Sequence, residues 1–570
     1  MSGCASPSPV RSARPPTTWT SSGTTPDPLG LTIVTAPAAD YIVVGGGTAG
    51  CILAARLSEN PTVRVILLEA GPEDRDIWIH IPAGYARLFQ SGKFDWKFAT
   101  EPEPELAGRS IGWPRGRVLG GSGSINGLVF LRGSPLDYDR WAQAGARGWS
   151  HDEVLPYFRR IESYEGEAGE TRGSSGPIPV SHPRRLSMGA AAFIAACEAL
   201  GFPRHRDVND GPIDGITPIQ MNVRRGRRVS TAQAYLRPAR RRPNLRVVTG
   251  FVARRILFEN GRAIGVAGHG RAGGGEEIHR AAGEVIVCCG AVATPKLLML
   301  SGIGDAAALS AMGIPVVADA PGVGQNLQDH FITRFAFRTR PAGTLNELTA
   351  TRIRMAAMAF GYALRRDGPM AVGATEATLF ARVLPGAEEA DVQFQFINFS
   401  FAPTGNYVLA SHPGFMFNFN QCRPDSRGAL TLRSPDPEDK PVIRANYLEH
   451  PTDRRVMVEA AKLACRLGRT APFADLVEER QAPPPELEDE DGLLDYIRCT
   501  GSTVYHPCGT CRMGADDRAV VDPELRVRGV RGLRVADASV MPLVPSSNIQ
   551  PAVMMIAERA GDFIRATSHT

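Results

Sequence analysis

Three stretches carry residue types that could do chemistry together. "YHPCGTCRMG" sets His506 among Pro and Gly, as expected of a side chain held in a tight loop. "LRVADAS" reads as a short buried strand ending in an acid, Asp537. "SSNIQPAVMMIAE" places Asn548 just ahead of Pro551 and an apolar helical pattern. Pro in a first turn marks a helix start, because the N–H it lacks has no intrahelical partner there. Such a helix aims unpaired N–H groups and a positive dipole end at whatever precedes it. An imidazole with an ordinary pKa near neutrality is suited to taking a hydroxyl proton. A carboxamide can orient the oxygen left behind. The bland reading of Asn548 is a helix cap, and that of His506 alone is a satisfied loop histidine.

The elements that would position these residues begin at residue 40. "DYIVVGGGTAG" is an apolar strand running into Gly45-x-Gly47-x-x-Gly50, followed by the helical "CILAARLSEN". A second strand, "VRVILLE", ends in Glu69, 19 residues after Gly50. Gly45 permits the tight strand-to-helix turn, Gly47 lets backbone approach a pyrophosphate, and Gly50 lets helix pack on strand. Glu69 would accept hydrogen bonds from a ribose, and an acid there points to FAD or NAD rather than NADP. A second Gly/Ser-rich run, "RGRVLGGSGSINGLVFLRG" over 115–133, can cradle a phosphate or press on a flat ring. Its apolar centre (Ile125, Leu128, Val129, Phe130, Leu131) is unlike a solvated linker.

Further on, "STAQAYLRPA" reads as helical. "NLRVVTGFVARRILFENGRAIGVAG" reads as strands with a turn at Asn260-Gly261. "EVIVCCG" is a fully apolar strand of a covered parallel sheet, "ATPKLLMLSGIG" is the helix after it, and 268–275 is a Gly-rich surface loop. From about 331 to 495 the pattern changes to alternating aromatic strands, "DVQFQFINFSF", "FMFNFNQ" and "ALTLRS", between Pro-rich turns. That suggests an antiparallel sheet under a substrate lobe, with core packing as the main use of its aromatic rings.

A chain of 570 residues is too long for one small domain. Hydrophobic content of 43% is ordinary for a soluble globular protein, and a net charge of +5, small for this length, argues against a nucleic-acid or acidic-membrane partner. "RRGRR" (224–228) and "ARRR" (239–242) read as solvated surface rather than an anionic-partner patch. The 10 cysteines lack a framework spacing, which fits reduced thiols in a cytosolic protein. The CxxC of Cys508 and Cys511 has neither a second CxxC nor a thioredoxin-like context, so it reads as incidental and no metal is expected. No apolar run reaches the roughly 18 residues needed to span a bilayer. Residues 1–39 lack the apolar core of a secretory signal and read as a disordered, dispensable tail.

Taken together, the residues from about 40 to 565 resemble the glucose–methanol–choline (GMC) family of flavin oxidoreductases. The specific motifs are "GRVLGGSGSINGLVFLRGSPLDYDRW", "GAVATPKLLMLSGIG" and "HPCGTCRMG…LRVADASVMP…SSN". Asn548 makes the chain similar to the choline dehydrogenase-like and alcohol dehydrogenase branch, rather than the glucose oxidase type with its second His. The resemblance implies an α/β fold: a Rossmann-like FAD-binding lobe beside an α+β substrate lobe built on an antiparallel sheet. The lobes would be 40–330 and 496–570 for FAD, and 331–495 for substrate.

The same resemblance implies His506 and Asn548 as catalytic residues facing the flavin. Cofactor contacts are expected from Gly45, Gly47, Gly50, Glu69, Val118, Gly121, Ser122, Asn126, Gly127, Leu128, Val129, Val252, Asp537, Ala538 and Gln550. The helix after Pro551 would support the reduced flavin electrostatically. Some relatives tether FAD through a His in the Gly/Ser run; Ile125 stands there, so FAD is expected to be non-covalent. Gly123 stands where Ser is common, which would alter loop flexibility only.

The implied reaction is oxidation of a small primary alcohol to an aldehyde by hydride transfer to the flavin. The acceptor, O₂ or a quinone, stays open, and so do the rival readings of a flavin lyase or photodecarboxylase. A choline-like substrate would want an acid and an aromatic cage. Candidates are Phe394, Phe396, Phe399, Phe415 and Phe417 with Glu347 and Glu376. His330 is expected to support a lobe junction, and His412 is a residue that could reach substrate. The location expected is cytoplasmic or peripheral to the inner membrane.

Overall fold

The apolar run Ala39–Val44 is the middle strand of a parallel sheet, buried on both faces as its composition requires. The computed structural model describes residues 38–167, 169–270, 275–402 and 408–567, with strands Gly23–Pro26 and Thr32–Thr35. Those two strands pair antiparallel. The rest of the expected tail, and residues 271–274 of the 268–275 loop, lie outside the described residues.

On one side of Ala39–Val44 come Val65–Glu69 and then Leu245–Thr249; on the other come Glu277–Val287 and then Leu533–Val535. The long strand Glu277–Val287 does two jobs. Its first half pairs antiparallel with Arg262–His269, and its second half pairs parallel with Ala39–Val44. Arg262–His269 in turn forms a hairpin with Val252–Glu259, closed at Asn260 and Gly261 with φ of 49° and 71°. Both values are left-handed, which is why the Asn-Gly pair is used there. Strand order reverses direction at Ala39–Val44, so the carboxyl ends of the strands beside it open a crevice, the usual ligand position in such sheets.

The second sheet is antiparallel. Its order is Val477–Ala482, Phe331–Thr339, Gly414–Gln421, Val392–Ile397, Ala377–Ala381 and Gly215–Pro218. Alternation along its strands separates two faces. Phe335, Phe337, Phe394, Phe396, Phe415, Phe417 and Phe419 are buried on one face, where several pack on Phe193 and Phe473. Arg334, Gln395, Ile397, Met416 and Asn418 line the cavity on the other.

Two features differ from the sequence reading. The span 40–330 is not one contiguous lobe: Gly215–Pro218 is an edge strand of the second sheet, and helix Met188–Ala199 packs beside it. In addition, "ALTLRS" does not join that sheet. Ala429–Thr431 pairs with Val442–Arg444 in a separate ribbon. Among the described residues no helix is long and apolar enough to cross a membrane.

Candidate active site

The loop carrying His506 is held by backbone pairing across the two lobes. Phe331 and Ile332, which begin a strand of the second sheet, pair with Thr503 and Ser502. The Val504 N–H donates to the His330 carbonyl at 2.9 Å, and Gln328 and Cys508 exchange both backbone bonds. Between these anchors Tyr505 adopts φ of 67°, a strained value for a non-glycine residue. Asp329 ties the turn down by accepting from the His506 N–H at 2.7 Å and from the hydroxyls of Thr503 and Tyr447. Burial raises the Asp329 carboxyl to about 6.

His330 is more than a lobe-junction residue. Its Nε2 lies 2.9 Å from the Cys422 carbonyl, so Nε2 carries a hydrogen and donates. In neutral His330 the other nitrogen, Nδ1, is then an acceptor. It sits 2.9 Å from Nδ1 of His506, which must therefore be the donor. That leaves the lone pair of His506 on Nε2, where Asn548 Nδ2 donates to it at 3.1 Å. Both rings are neutral: burial lowers His330 to about 4. Burial, then His330 and Arg115, hold His506 well below the ordinary imidazole range. The relay thus presents one basic nitrogen, in one tautomer, beside one carboxamide.

These groups border a cavity of about 1030 Å³ between the lobes. Of the expected residues, His506, Asn548, Gly45, Gly47, Glu69, Gly121, Ser122, Asn126, Gly127, Leu128, Val129, Val252, Asp537, Ala538 and Gln550 line it. Gly50 and Val118 are not among its lining residues. A Cβ on Gly50 would lie 1.9 Å from the Gly45 carbonyl, so it serves helix–strand packing, its other expected use. The Val118 side chain packs with Ile79, Leu88 and Phe94.

The lining has the features a dinucleotide needs. A Cβ on Gly47 would meet nothing closer than 3.9 Å, so its bare backbone faces open space. Glu69 holds the turn by accepting from the Gly46 and Gly71 N–H groups at 2.8 and 2.6 Å, with capacity left for a ribose. Burial, opposed by those two bonds, raises it to about 7. Asp537 accepts from the Gly290 N–H, at the start of helix Gly290–Leu300, and from Thr294. Asn548 Oδ1 and Gln550 Nε2 are buried with no partner among the described residues. Buried polar atoms are seldom left so, and the alternating N–H and carbonyl groups of a flavin edge would satisfy them. The residues present therefore fit FAD.

Two residues escaped the sequence reading. Arg228, taken as part of a solvated cluster, is buried. It donates to Asn126 Oδ1 and the Asn126 carbonyl at 2.7 Å and to the Ile79 carbonyl at 2.8 Å, bracing the Gly/Ser run. With no acid to compensate, burial lowers its guanidinium to about 9. Arg115 donates to the Tyr505 carbonyl at 2.7 Å beside the His506 turn. Neither position has a local signal, because each acts across more than a hundred residues.

Other expectations are revised. Phe394, Phe396, Phe415 and Phe417 face the core, leaving Phe399 of that set on the cavity. Glu347 caps the turn at Thr344, and His412 contacts the Pro413 carbonyl; neither lines the cavity. Glu376 does, with Ser187 N–H on its carboxylate. At Gly123 space matters as well as flexibility: a Cβ would lie 2.8 Å from Gln550 Nε2. Cys508 and Cys511 are free, buried thiols.

A parallel sheet with a glycine first turn, joined over one cavity to an antiparallel sheet, with an imidazole–carboxamide pair on loops at that cavity, defines a two-lobed flavin oxidoreductase. Residues 39–332 and 424–557 match the N- and C-terminal models of GMC oxidoreductases. The oxygen-dependent choline dehydrogenase of Brucella suis biovar 1 is 41% identical over 529 residues, covering 92% of this chain and 95% of that one. Pyridoxine 4-oxidase from Mesorbium loti superposes with a TM-score of 0.84 at 33% identity, over 93% of this chain and 99% of its own. A formate oxidase variant from Aspergillus oryzae gives 0.87 at 29%, with coverages of 93% and 99%. The chain belongs to the GMC oxidoreductase family, and is an FAD-dependent enzyme acting on CH–OH donors.

Proposed function

We propose that this chain oxidises a small primary alcohol to the aldehyde, with His506 as the base and FAD held without a covalent bond. The observation that carries this reading is the single lone pair on His506 Nε2, directed at the cavity by His330 and met there by Asn548. A substrate hydroxyl that takes the place of the Asn548 N–H at that lone pair gives its proton to Nε2, whose neutral state is maintained by burial. Asn548 Nδ2 donates to the substrate oxygen as negative charge develops on it. Bound FAD would supply the hydride acceptor. Gly47, Glu69 and the braced run around Asn126 would hold it, and Ile125 offers no nucleophile to attach it.

Choline-like alcohols and ring-bearing hydroxymethyl compounds are the substrate classes to try first, since similar proteins are a choline dehydrogenase and pyridoxine 4-oxidase. The test is His506→Ala, with flavin reduction by an alcohol followed anaerobically. Loss of a general base should slow it by about 10²–10⁴-fold with FAD still bound; an unchanged rate would refute the assignment. Peroxide released during turnover tells O₂ from another acceptor, and acid precipitation should leave the yellow flavin in the supernatant.

A further inference from the structure

The helix Arg352–Arg365, "RIRMAAMAFGYALR", is built in reverse of an ordinary surface helix. Its composition of Ala, Met, Leu and Arg favours helix, and Thr351 caps it by accepting from the Arg354 N–H. Yet Tyr362 is the only residue in it that is buried. Tyr362 donates to the Gly226 carbonyl at 2.8 Å, and with Met358 it packs on the protein body. The opposite face points outward. Ile353, Phe360 and Leu364 are 83%, 67% and 69% exposed. Their i, i+7, i+11 spacing puts them in one stripe. Arg354 and Arg365 border that stripe on one side and Arg352 on the other, by the 100° step of an α-helix.

An apolar stripe of this kind on a soluble surface marks a docking face, and charge indicates what docks. Between residues 348 and 366 there are four arginines and no acid; Glu347 and Asp367 flank the segment. Gly226, which the helix touches, lies in the hairpin that presents Arg224, Arg225 and Arg227 to solvent. Among the described residues none of these seven arginines forms an ion pair with an acidic side chain. A second copy docked about a twofold axis would set these arginines against themselves. An anionic lipid surface would instead pair with them while taking up the apolar stripe, and the long Arg stems suit that boundary.

We propose that Arg352–Arg365, with the Arg224–Arg227 hairpin, seats this enzyme on an anionic phospholipid bilayer. Met355, 41% exposed, also lines the cavity, so the seated helix would hold the cavity rim at the lipid surface.

The test is co-sedimentation of the FAD-loaded full chain with vesicles of phosphatidylcholine alone or mixed with phosphatidylglycerol. Binding is expected to the mixed vesicles and to weaken as salt is raised. The triple variant Ile353→Ser, Phe360→Ser, Leu364→Ser should lower the bound fraction by at least about tenfold. Arg224→Gln, Arg225→Gln, Arg227→Gln should weaken it while leaving the weak affinity for neutral vesicles unchanged. All replaced side chains are exposed, so an unaltered flavin spectrum and melting temperature accompany the expected result. Absence of binding at low salt overturns the proposal, as does binding that ignores the apolar triple variant. Concentration-dependent dimerisation abolished by that variant also overturns it, in favour of a second copy.

Discussion

In His330→Leu the Nδ1–H of His506 loses its acceptor. The ring can then move its proton to Nε2, which places a hydrogen where the reaction needs a lone pair. Holding the productive tautomer without a partner means leaving a buried N–H unpaired, which costs about 1–3 kcal/mol. Referred to the barrier, that slows flavin reduction by about 5- to 150-fold. His330→Gln is the discriminating companion. A glutamine can donate to the Cys422 carbonyl through its nitrogen and accept from His506 through its oxygen, as the two ring nitrogens of His330 do at 2.9 Å each. It should keep the rate within a factor of a few of the parent. The assay is anaerobic stopped-flow reduction of bound FAD by the best alcohol, with flavin content and melting temperature as controls. Reduction by His330→Leu at the parental rate would refute the reasoning. So would a glutamine variant as slow as the leucine one, because packing rather than hydrogen polarity would then set the rate.

Acid should reveal the same buried ring in stability. The unfolded chain protonates His330 near its ordinary 6.5, whereas the folded chain resists until about 4. Below 6.5 the unfolded state therefore binds more protons, and stability is lost as pH falls from 6.5 to 4. The single-site amount is about 3 kcal/mol. Asp329 and Glu69, raised to about 6 and 7, act in the opposite direction over this range, so the parent's own curve mixes both. The clean measurement is the difference between parent and His330→Gln in urea unfolding. The variant should gain on the parent as pH falls from 6.5 to 4, and parallel curves would contradict it. Arg228→Met strands several buried acceptors around Asn126 at about 1–3 kcal/mol each. FAD affinity should fall at least about tenfold, read by flavin fluorescence on titration, whereas Arg224→Met at the exposed end of the same hairpin should leave it unchanged.

Much of the site could be read from local sequence because its parts are local devices. Gly45, Gly47 and Gly50 announce a strand–turn–helix unit through the backbone geometry they permit, and the apolar runs at 40–44 and 284–290 announce buried parallel strands. His506 and Asn548 stood out through motif context, and the structure brings them within 3.1 Å. Alternation also told that the aromatic strands at 392–397 and 414–421 have two different faces. Which face meets the helices and which the cavity depends on what packs against the sheet, and periodicity carries no sign. Only the tertiary structure sends the Phe rings inward and Gln395 and Asn418 toward the cavity.

The relay shows the limit most clearly. His330 and His506 are 176 residues apart, and their contact depends on the pairing of Phe331 with Thr503. Arg228 and Asn126 are likewise 102 apart. The sequence by itself determined which residues could be base, orienter and phosphate cradle, because dihedral preference and period are properties of short segments. The tautomer of the base, the bracing of the cradle and the outward turn of helix Arg352–Arg365 were decided by tertiary structure. Those depend on register and burial, which exist only once distant segments have met.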